Sequence, residues 1–415
     1  MNSADVLSVQ AGTSPTFRLA VTGGGTGGHT YPALTAIRAL QARLQPSGRK
    51  LEVLWIGTAE GLEARVAPAE GIPFTSVATG KIRRSSNPLK LVSPANVKDM
   101  ARVPLGVAQA RKAIAGFQPD VVLATGGYVA VPAGLAARMC HRPLVLHEQT
   151  VRLGLANRKL ASAAARICVS SESTLELLSE PARAIAVVTG NPVRPEVLSG
   201  HGDRAVQALG LWGFNRQLPT VYVTGGAQGS QQINELIGES LPWLLQYANV
   251  IHQCGPANEK GLRAQAARLL PELAARYYLA GFVGPELPDV LALADIVVSR
   301  SGAGTLAELT ALGKPAVFVP LASSAGNEQV HNARHLEQAG AAVALTGEVT
   351  AARLQETVGP LLADAQLRSG MAERARAYGR PDAADRLVDE VLSAASGQPV
   401  TAHNRQRGGE PSLPS

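Results

Sequence analysis

Aromatic residues make up only 4% of the 415-residue chain, too few to supply the stacking platforms that single-stranded nucleic acid requires. Cysteine is nearly missing. Cys140, Cys168 and Cys254 stand far apart and form no CxxC pair, which argues against a structural zinc site and a disulfide framework and points to a reducing compartment. No apolar stretch reaches the ~20 residues of a spanning helix. Met1 to Thr16 lack the apolar core of a signal peptide, so any membrane contact is expected to be peripheral. There is no Asp-x-Asp pair, no HExxH and no other convincing metal constellation, so no metal is expected and a bound diphosphate would be neutralised by helix ends and basic groups.

What is abundant is glycine at strand ends. Val21-Thr22-Gly23-Gly24-Gly25-Thr26-Gly27-Gly28-His29 follows the apolar run Phe17 to Val21 and precedes a helical pattern expected to open at Pro32. With almost no side-chain volume, such a loop lets backbone N–H groups close on a phosphate while the following helix presents its positive end. His29 stands where loop meets helix, a titratable imidazole placed for proton transfer or, more plainly, for orienting the loop. The opening scheme returns half a chain later, where Thr220–Val223 leads into Thr224-Gly225-Gly226-Ala227-Gln228-Gly229-Ser230 and a helix from about Gln232. Between and beyond these loops, short buried-type strands alternate with helical patterns: Leu51–Ile56, Asp120–Ala124, Leu144–Leu146 and Arg166–Val169 in the first half, Val250–Gln253, Tyr277–Leu279, Asp295–Ser299 and Ala316–Pro320 in the second. Such alternation predicts parallel sheets with helices on both faces, in two similar α/β halves.

The chain is expected to divide into a disordered lead-in (1–16), an N-terminal domain (17–194), a linker (195–217), a C-terminal domain (218–350), C-terminal helices (351–395) and a disordered polar tail (396–415). The net charge is +7, and residues 81–112 alone carry eight basic side chains against Asp99, the same excess. Interleaved with Ile82, Leu89, Leu91, Val92 and Leu105, this stretch reads either as an interface for anionic lipid headgroups or as a solvated helical face.

Gly23-x-Gly25-x-x-Gly28 matches the dinucleotide fingerprint. A nicotinamide-dependent oxidoreductase would add an acidic residue after the second strand to hold the ribose. That strand ends in Gly57-Thr58, with Glu60 a poor candidate, and the same glycines also serve a tight turn that lets strand and helix pack. Ser301-Gly302-Ala303-Gly304-Thr305-Leu306-Ala307-Glu308 offers a second helix N-terminus for a phosphate, with Glu308 one turn on, where a carboxylate either accepts two hydrogen bonds from a ribose diol or closes a capping box with Thr305. The amides of Asn327-Glu328-Gln329 suit sugar hydroxyls, or start a helix.

Taken in order, Gly23 to His29, Gly126-Gly127-Tyr128-Val129, His147-Glu148-Gln149, Gly190-Asn191-Pro192-Val193-Arg194, Gly225 to Gly229, Arg300-Ser301-Gly302-Ala303 with Glu308, and Gln329 with Asn332-Ala333 resemble the MurG family over residues 17–390. The resemblance implies the glycosyltransferase-B fold, two doubly wound Rossmann-like domains facing across a cleft. It implies an inverting transfer of N-acetylglucosamine (GlcNAc) from UDP-GlcNAc to the 4-hydroxyl of undecaprenyl-diphospho-muramoyl-pentapeptide, without a cofactor, in peptidoglycan synthesis. The N-terminal half would take the lipid-linked acceptor, with its diphosphate near Gly25, Thr26, Gly27 and Gly28 and the Gly126-Gly127 turn. The C-terminal half would hold the nucleotide: Glu308 on the ribose, Ala303, Gly304, Thr305 and Leu306 on the diphosphate, Val283 on the uracil by backbone contact, Gln329 on the GlcNAc hydroxyls, and Arg194 facing the donor. His29 is the candidate base and Glu148 the second. Two donor-contact positions depart from the family pattern. Thr150 replaces Asn and keeps a hydroxyl but no amide, and Ala227 replaces Ser and loses the hydroxyl, with Ser230 nearby in sequence. The C-terminal helices would pack back toward the N-terminal domain. The resemblance further implies a peripheral place on the cytoplasmic face of the cell membrane, contact with anionic lipid, association with cell-wall synthesis and division proteins, and no nucleic-acid partner. Another UDP-sugar transferase acting on a lipid such as diacylglycerol is the nearest alternative, and the oxidoreductase stands as the alternative from another class.

Overall fold

The computed structural model describes residues 16–80, 94–321, 324 and 327–400. Two parallel sheets organise it. The first contains β1 (Phe17–Thr22), β2 (Leu51–Gly57), β3 (Phe74–Ser76), β4 (Val121–Ala124), β5 (Leu144–Glu148), β6 (Arg166–Val169) and β7 (Ala186–Val188), in the order β3-β2-β1-β4-β5-β6-β7. The second contains β8 (Thr220–Thr224), β9 (Asn249–Gln253), β10 (Tyr277–Ala280), β11 (Ile296–Ser299), β12 (Ala316–Phe318) and β13 (Val343–Ala344), in the order β10-β9-β8-β11-β12-β13. The two orders follow one scheme. In each, the first strand pairs on one side with the second and on the other with the fourth, as in Leu19 opposite both Val53 and Val121, and Val221 opposite both Val250 and Ile296. The loops leaving those two central strands therefore meet at the carboxyl edge, where the strand order reverses and where open α/β sheets bind ligands.

The strands are mostly apolar because both faces are covered. Val221 and Val223 point into the core layer that holds Ile233, Ile237, Leu241 and Val358, whereas Tyr222 between them points into the opposite layer with Ile251, Leu309 and Phe318. This is the period-two alternation of a strand, with each face buried under a helix layer.

The chain separates into two compact units. Among the described residues, one comprises those up to Leu146, with 163–165 and Val388–Gln398; the other comprises His147–Ser162 and Arg166–Leu387, with 399–400. The last helix, Ala383–Ala395, ends in the first unit, where Asp389 pairs with Arg43 at 2.7 Å.

Several elements differ from what the sequence suggests. The helix after β1 runs Gly27–Leu44 and starts five residues before Pro32, which lies inside it. The linker 195–217, for which the sequence suggests a short helix near Ala205–Leu209, contains Gly202–Ala208 and a further helix, Pro195–Leu198. The C-terminal helices number three, because Asp364 ends Ala351–Ala363 and caps Ala365–Tyr378, its carboxylate accepting the N–H groups of Gln366 and Leu367. Of the basic stretch, residues 81–93 lie outside the described residues, as do 1–15 of the lead-in and 401–415 of the tail.

Candidate functional site

In the first unit, the loop after β1 is built against the turn after β4. The His29 ring, in the first turn of Gly27–Leu44, lies with Nδ1 2.9 Å from the carbonyl oxygen of Thr125, while the Thr125 hydroxyl donates to the His29 carbonyl at 2.8 Å. A carbonyl only accepts, so Nδ1 carries the proton, and in the neutral ring Nε2 is the basic nitrogen. Gly126 has φ +103°, and a Cβ there would stand 2.9 Å from the His29 ring; at Gly127, φ +84°, a Cβ would meet the Gly24 carbonyl at 2.6 Å. The two glycine motifs are thus one packed unit with an imidazole wedged between them. Thr26, Gly27 and Gly28 form the start of the helix, where the first N–H groups have no intrahelical acceptor.

One residue here escaped the sequence reading. Glu63, fully buried, accepts Gly25 N–H through Oε2 at 2.8 Å, and Thr58 N–H and the Thr58 hydroxyl through Oε1, both at 2.8 Å. The carboxylate that follows β2 is therefore turned under the glycine loop, and Glu60 is exposed. Glu63 is thus spent on the loop itself.

In the second unit, His147 is buried. Its Nε2 donates to the Gly190 carbonyl at 3.0 Å and its Nδ1 accepts from Gln149 at 3.0 Å. Glu148 accepts four hydrogen bonds: Thr150 N–H and the Thr150 hydroxyl on Oε1, Gly154 N–H and Asn157 Nδ2 on Oε2, at 2.7–3.2 Å. Its lone pairs are committed to the loop that follows, so Glu148 positions that backbone. The Thr150 hydroxyl is likewise turned inward, onto Glu148.

The second glycine loop is held differently. Gln253 at the end of β9 donates to the Thr224 hydroxyl (3.0 Å) and the Gly226 carbonyl (3.1 Å) and accepts Val283 N–H (2.9 Å). Val283 thus has only its carbonyl left for a base, and its neighbour Phe282 is 60% exposed. Ala227 is exposed, whereas Ser230 is buried as the cap of helix Gln231–Tyr247. Arg300, after β11, donates to the Ser230 hydroxyl (2.6 Å), Gln232 (2.9 Å) and the Val319 carbonyl (2.9 Å).

Helix Ala303–Leu312 starts after Gly302, so Thr305 lies inside it and the capping box with Glu308 does not form. Glu308 instead receives Arg194, with Nε and Nη2 at 2.9 and 2.8 Å from Oε1. Burial pushes the Glu308 carboxyl above its ordinary range, and the Arg194 guanidinium pulls it back. Gln329 joins this helix start through the Ser301 hydroxyl, which donates to the Gln329 carbonyl at 2.7 Å, and Asn332 donates to the Ser301 carbonyl at 3.1 Å. The Gln329 side-chain oxygen accepts Leu321 N–H at 2.9 Å. Ala303, Gly304, Thr305, Leu306, Glu308, Arg194 and Gln329 are thus gathered around one helix N-terminus.

The chain is similar to known proteins. Residues 19–169 match the glycosyltransferase family 28 N-terminal domain and residues 220–387 the family 28 C-terminal domain. A Listeria monocytogenes UDP-N-acetylglucosamine–N-acetylmuramyl-(pentapeptide) pyrophosphoryl-undecaprenol N-acetylglucosamine transferase is 37% identical over 381 residues, covering 91% of this chain and 99% of the relative. The chain belongs to the MurG family. A Bacillus cereus enzyme of the same name is 36% identical over 90% of this chain and 98% of its own length. The crystal structure of Acinetobacter baumannii MurG superposes with a TM-score of 0.68 at 26% identity, over 91% of this chain and 99% of that one. The two parallel-sheet α/β domains are those of the glycosyltransferase-B fold of the MurG family. This membership removes the oxidoreductase reading.

Proposed function

We propose that the chain transfers GlcNAc from UDP-GlcNAc to the 4-hydroxyl of lipid-linked muramoyl-pentapeptide, with inversion at the anomeric carbon. The observation that carries this reading is the second unit's helix start. Glu308 is held by Arg194 and placed one turn beyond N–H groups that no helical carbonyl satisfies. A diphosphate fits those N–H groups and the positive end of the helix, and a vicinal diol fits the carboxylate. Exposed Phe282 offers a face on which a pyrimidine stacks, beside the Val283 carbonyl. As UDP departs, charge develops on the diphosphate, and fixed N–H dipoles stabilise it without reorganising.

His29 is the base in this proposal. Its Nδ1–H is given to the Thr125 carbonyl, which makes Nε2 the basic nitrogen, and the acceptor hydroxyl delivers its proton there as it attacks the sugar C1. The first-turn N–H groups of Gly27 and Gly28 are the acceptor's diphosphate donors. The deciding assay is GlcNAc transfer from UDP-GlcNAc to a lipid-linked muramoyl-pentapeptide analogue. Transfer with release of UDP is expected, and transfer to diacylglycerol instead would replace this reading with the lipid-glycosyltransferase one.

The same proposal places the protein on the cytoplasmic face of the membrane. Among the described residues, no helix is long and apolar enough to cross a bilayer. The adjoining helices Pro94–Phe117 and Ala130–Met139 expose Leu105, Leu135 and Met139 beside Arg102, Arg111, Lys112 and Arg138. Such a surface suits anionic lipid headgroups, and its binding to anionic vesicles weakens as salt rises.

A further inference from the structure

Gly25 occupies the second glycine of the G-x-G-x-x-G pattern, the place where a dinucleotide-binding turn brings its backbone against a pyrophosphate. Here its N–H is turned inward onto Glu63 Oε2 at 2.8 Å. The Glu63 side chain fills a space that three glycines leave open. A Cβ on Gly24, Gly57 or Gly61 would lie 2.1, 2.5 or 2.2 Å from its atoms. Both oxygens accept hydrogen bonds, all three from Gly25 and Thr58, and the group is fully buried. On the other side of the same loop, the Trp55 indole N–H donates to the Gly23 carbonyl at 3.2 Å. Strand β2 and the turn after it thus grip the loop by one donor and one carboxylate, and the loop in turn carries Gly27, Gly28 and His29.

We propose that Glu63 is an internal anion that takes up the phosphate-type donor of the first glycine loop and, by fixing Gly25, positions His29 for proton transfer. The loop then works as a frame for the imidazole, and the acceptor's diphosphate is confined to the first-turn N–H groups. Glu63 touches no substrate; it acts through the backbone.

The kinetic part of this inference rests on the transferase reading, and the binding part stands apart from it. Glu63→Ala vacates a carboxylate-sized site lined by the Gly25 and Thr58 donors. Formate is expected to raise the melting temperature of that variant, but not of the wild-type chain, relative to chloride at equal ionic strength, and to restore part of its kcat. Glu63→Gln, nearly isosteric, can accept on one side only and sets its amide N–H against the Gly25 N–H or the Thr58 N–H. Its kcat should fall about a hundredfold, the scale of a misplaced catalytic group, with the KM for UDP-GlcNAc unchanged. A merely structural role would not produce formate rescue or that split. Wild-type kcat in Glu63→Gln, or a folded Glu63→Ala on which formate has no selective effect, overturns the proposal. If Glu63→Ala does not fold, the kcat of Glu63→Gln decides. Absence of transfer by the wild-type chain overturns the transferase reading instead and leaves the formate shift to judge Glu63.

Discussion

The two glycine loops of this chain occupy equivalent places and are supported in opposite ways. Each leaves the central strand of its sheet and meets the turn from the neighbouring central strand, with one side chain bridging the two. In the first sheet the bridge is His29 onto Thr125, and the support from the second strand's side is the acceptor Glu63. In the second sheet the bridge is Arg300 onto Ser230, and the support is the amide Gln253, which donates to Thr224 and Gly226. One loop is backed by a carboxylate and carries the imidazole proposed as the base. The other is held by the guanidinium of Arg300, which stands just before the helix start proposed for the diphosphate. Shared topology supplies the two sites, and a handful of side chains gives them opposite electrostatics.

The largest expected effect tests the first loop. His29→Ala should lower kcat roughly 10²–10⁴-fold, the usual worth of a positioned acid–base group, with the KM for UDP-GlcNAc nearly kept. Gly126→Ala, which pushes a methyl into the imidazole, should fall in the same direction. Steady-state kinetics that show both defects in KM instead would dissolve the contrast between the loops. Arg300→Ala probes the other side. Losing its charged hydrogen bonds should raise the donor KM about tenfold or more while changing kcat less, as measured by initial rates and UDP titration calorimetry.

A third expectation concerns pH. The Glu308 carboxyl is raised by burial, so the ionised form that holds a diol is present above that raised value and lost as pH falls through it. The acid limb of UDP binding should therefore lie above the 4.5 of an ordinary glutamate. Arg194→Ala removes the lowering partner and should move the limb to higher pH; a shift to lower pH would contradict the pairing. The smallest effect concerns stability alone. His252, buried and hydrogen-bonded to Asn234 and Tyr277, is lowered to about 4 by burial. The unfolded chain then binds the extra proton first, so stability is full above about 6.5 and declines as pH falls toward about 4. Melting curves across that window should show the slope, and His252→Gln should flatten it.

Much of this was legible in the sequence because glycine-rich turns after apolar runs announce both loops and the strands before them. The ordered motifs then pointed to the family. The helix start at Gly27 was hidden by two glycines of poor helix propensity, which made Pro32 look like the opening residue. Glu63 was hidden because its partner Gly25 lies 38 residues away and offers only a backbone N–H, which no side-chain pattern reveals. The four donors around Glu148 come from the loop after it, two of them backbone N–H groups, so no side-chain pattern shows that it holds that loop. The break at Asp364 is a single residue wide, too short to interrupt a helical periodicity.

The indole of Trp55 adds a practical consequence. It is wholly buried and bonded to the Gly23 carbonyl, whereas Trp212 is 71% exposed. The first loop therefore contains its own optical reporter. A Trp212→Phe, Trp243→Phe chain excited at the red edge of indole absorption would give blue-shifted emission from Trp55 alone, sensitive to the Gly23 bond, so the arrival of a lipid-linked acceptor at that loop could be timed by stopped flow without any added label.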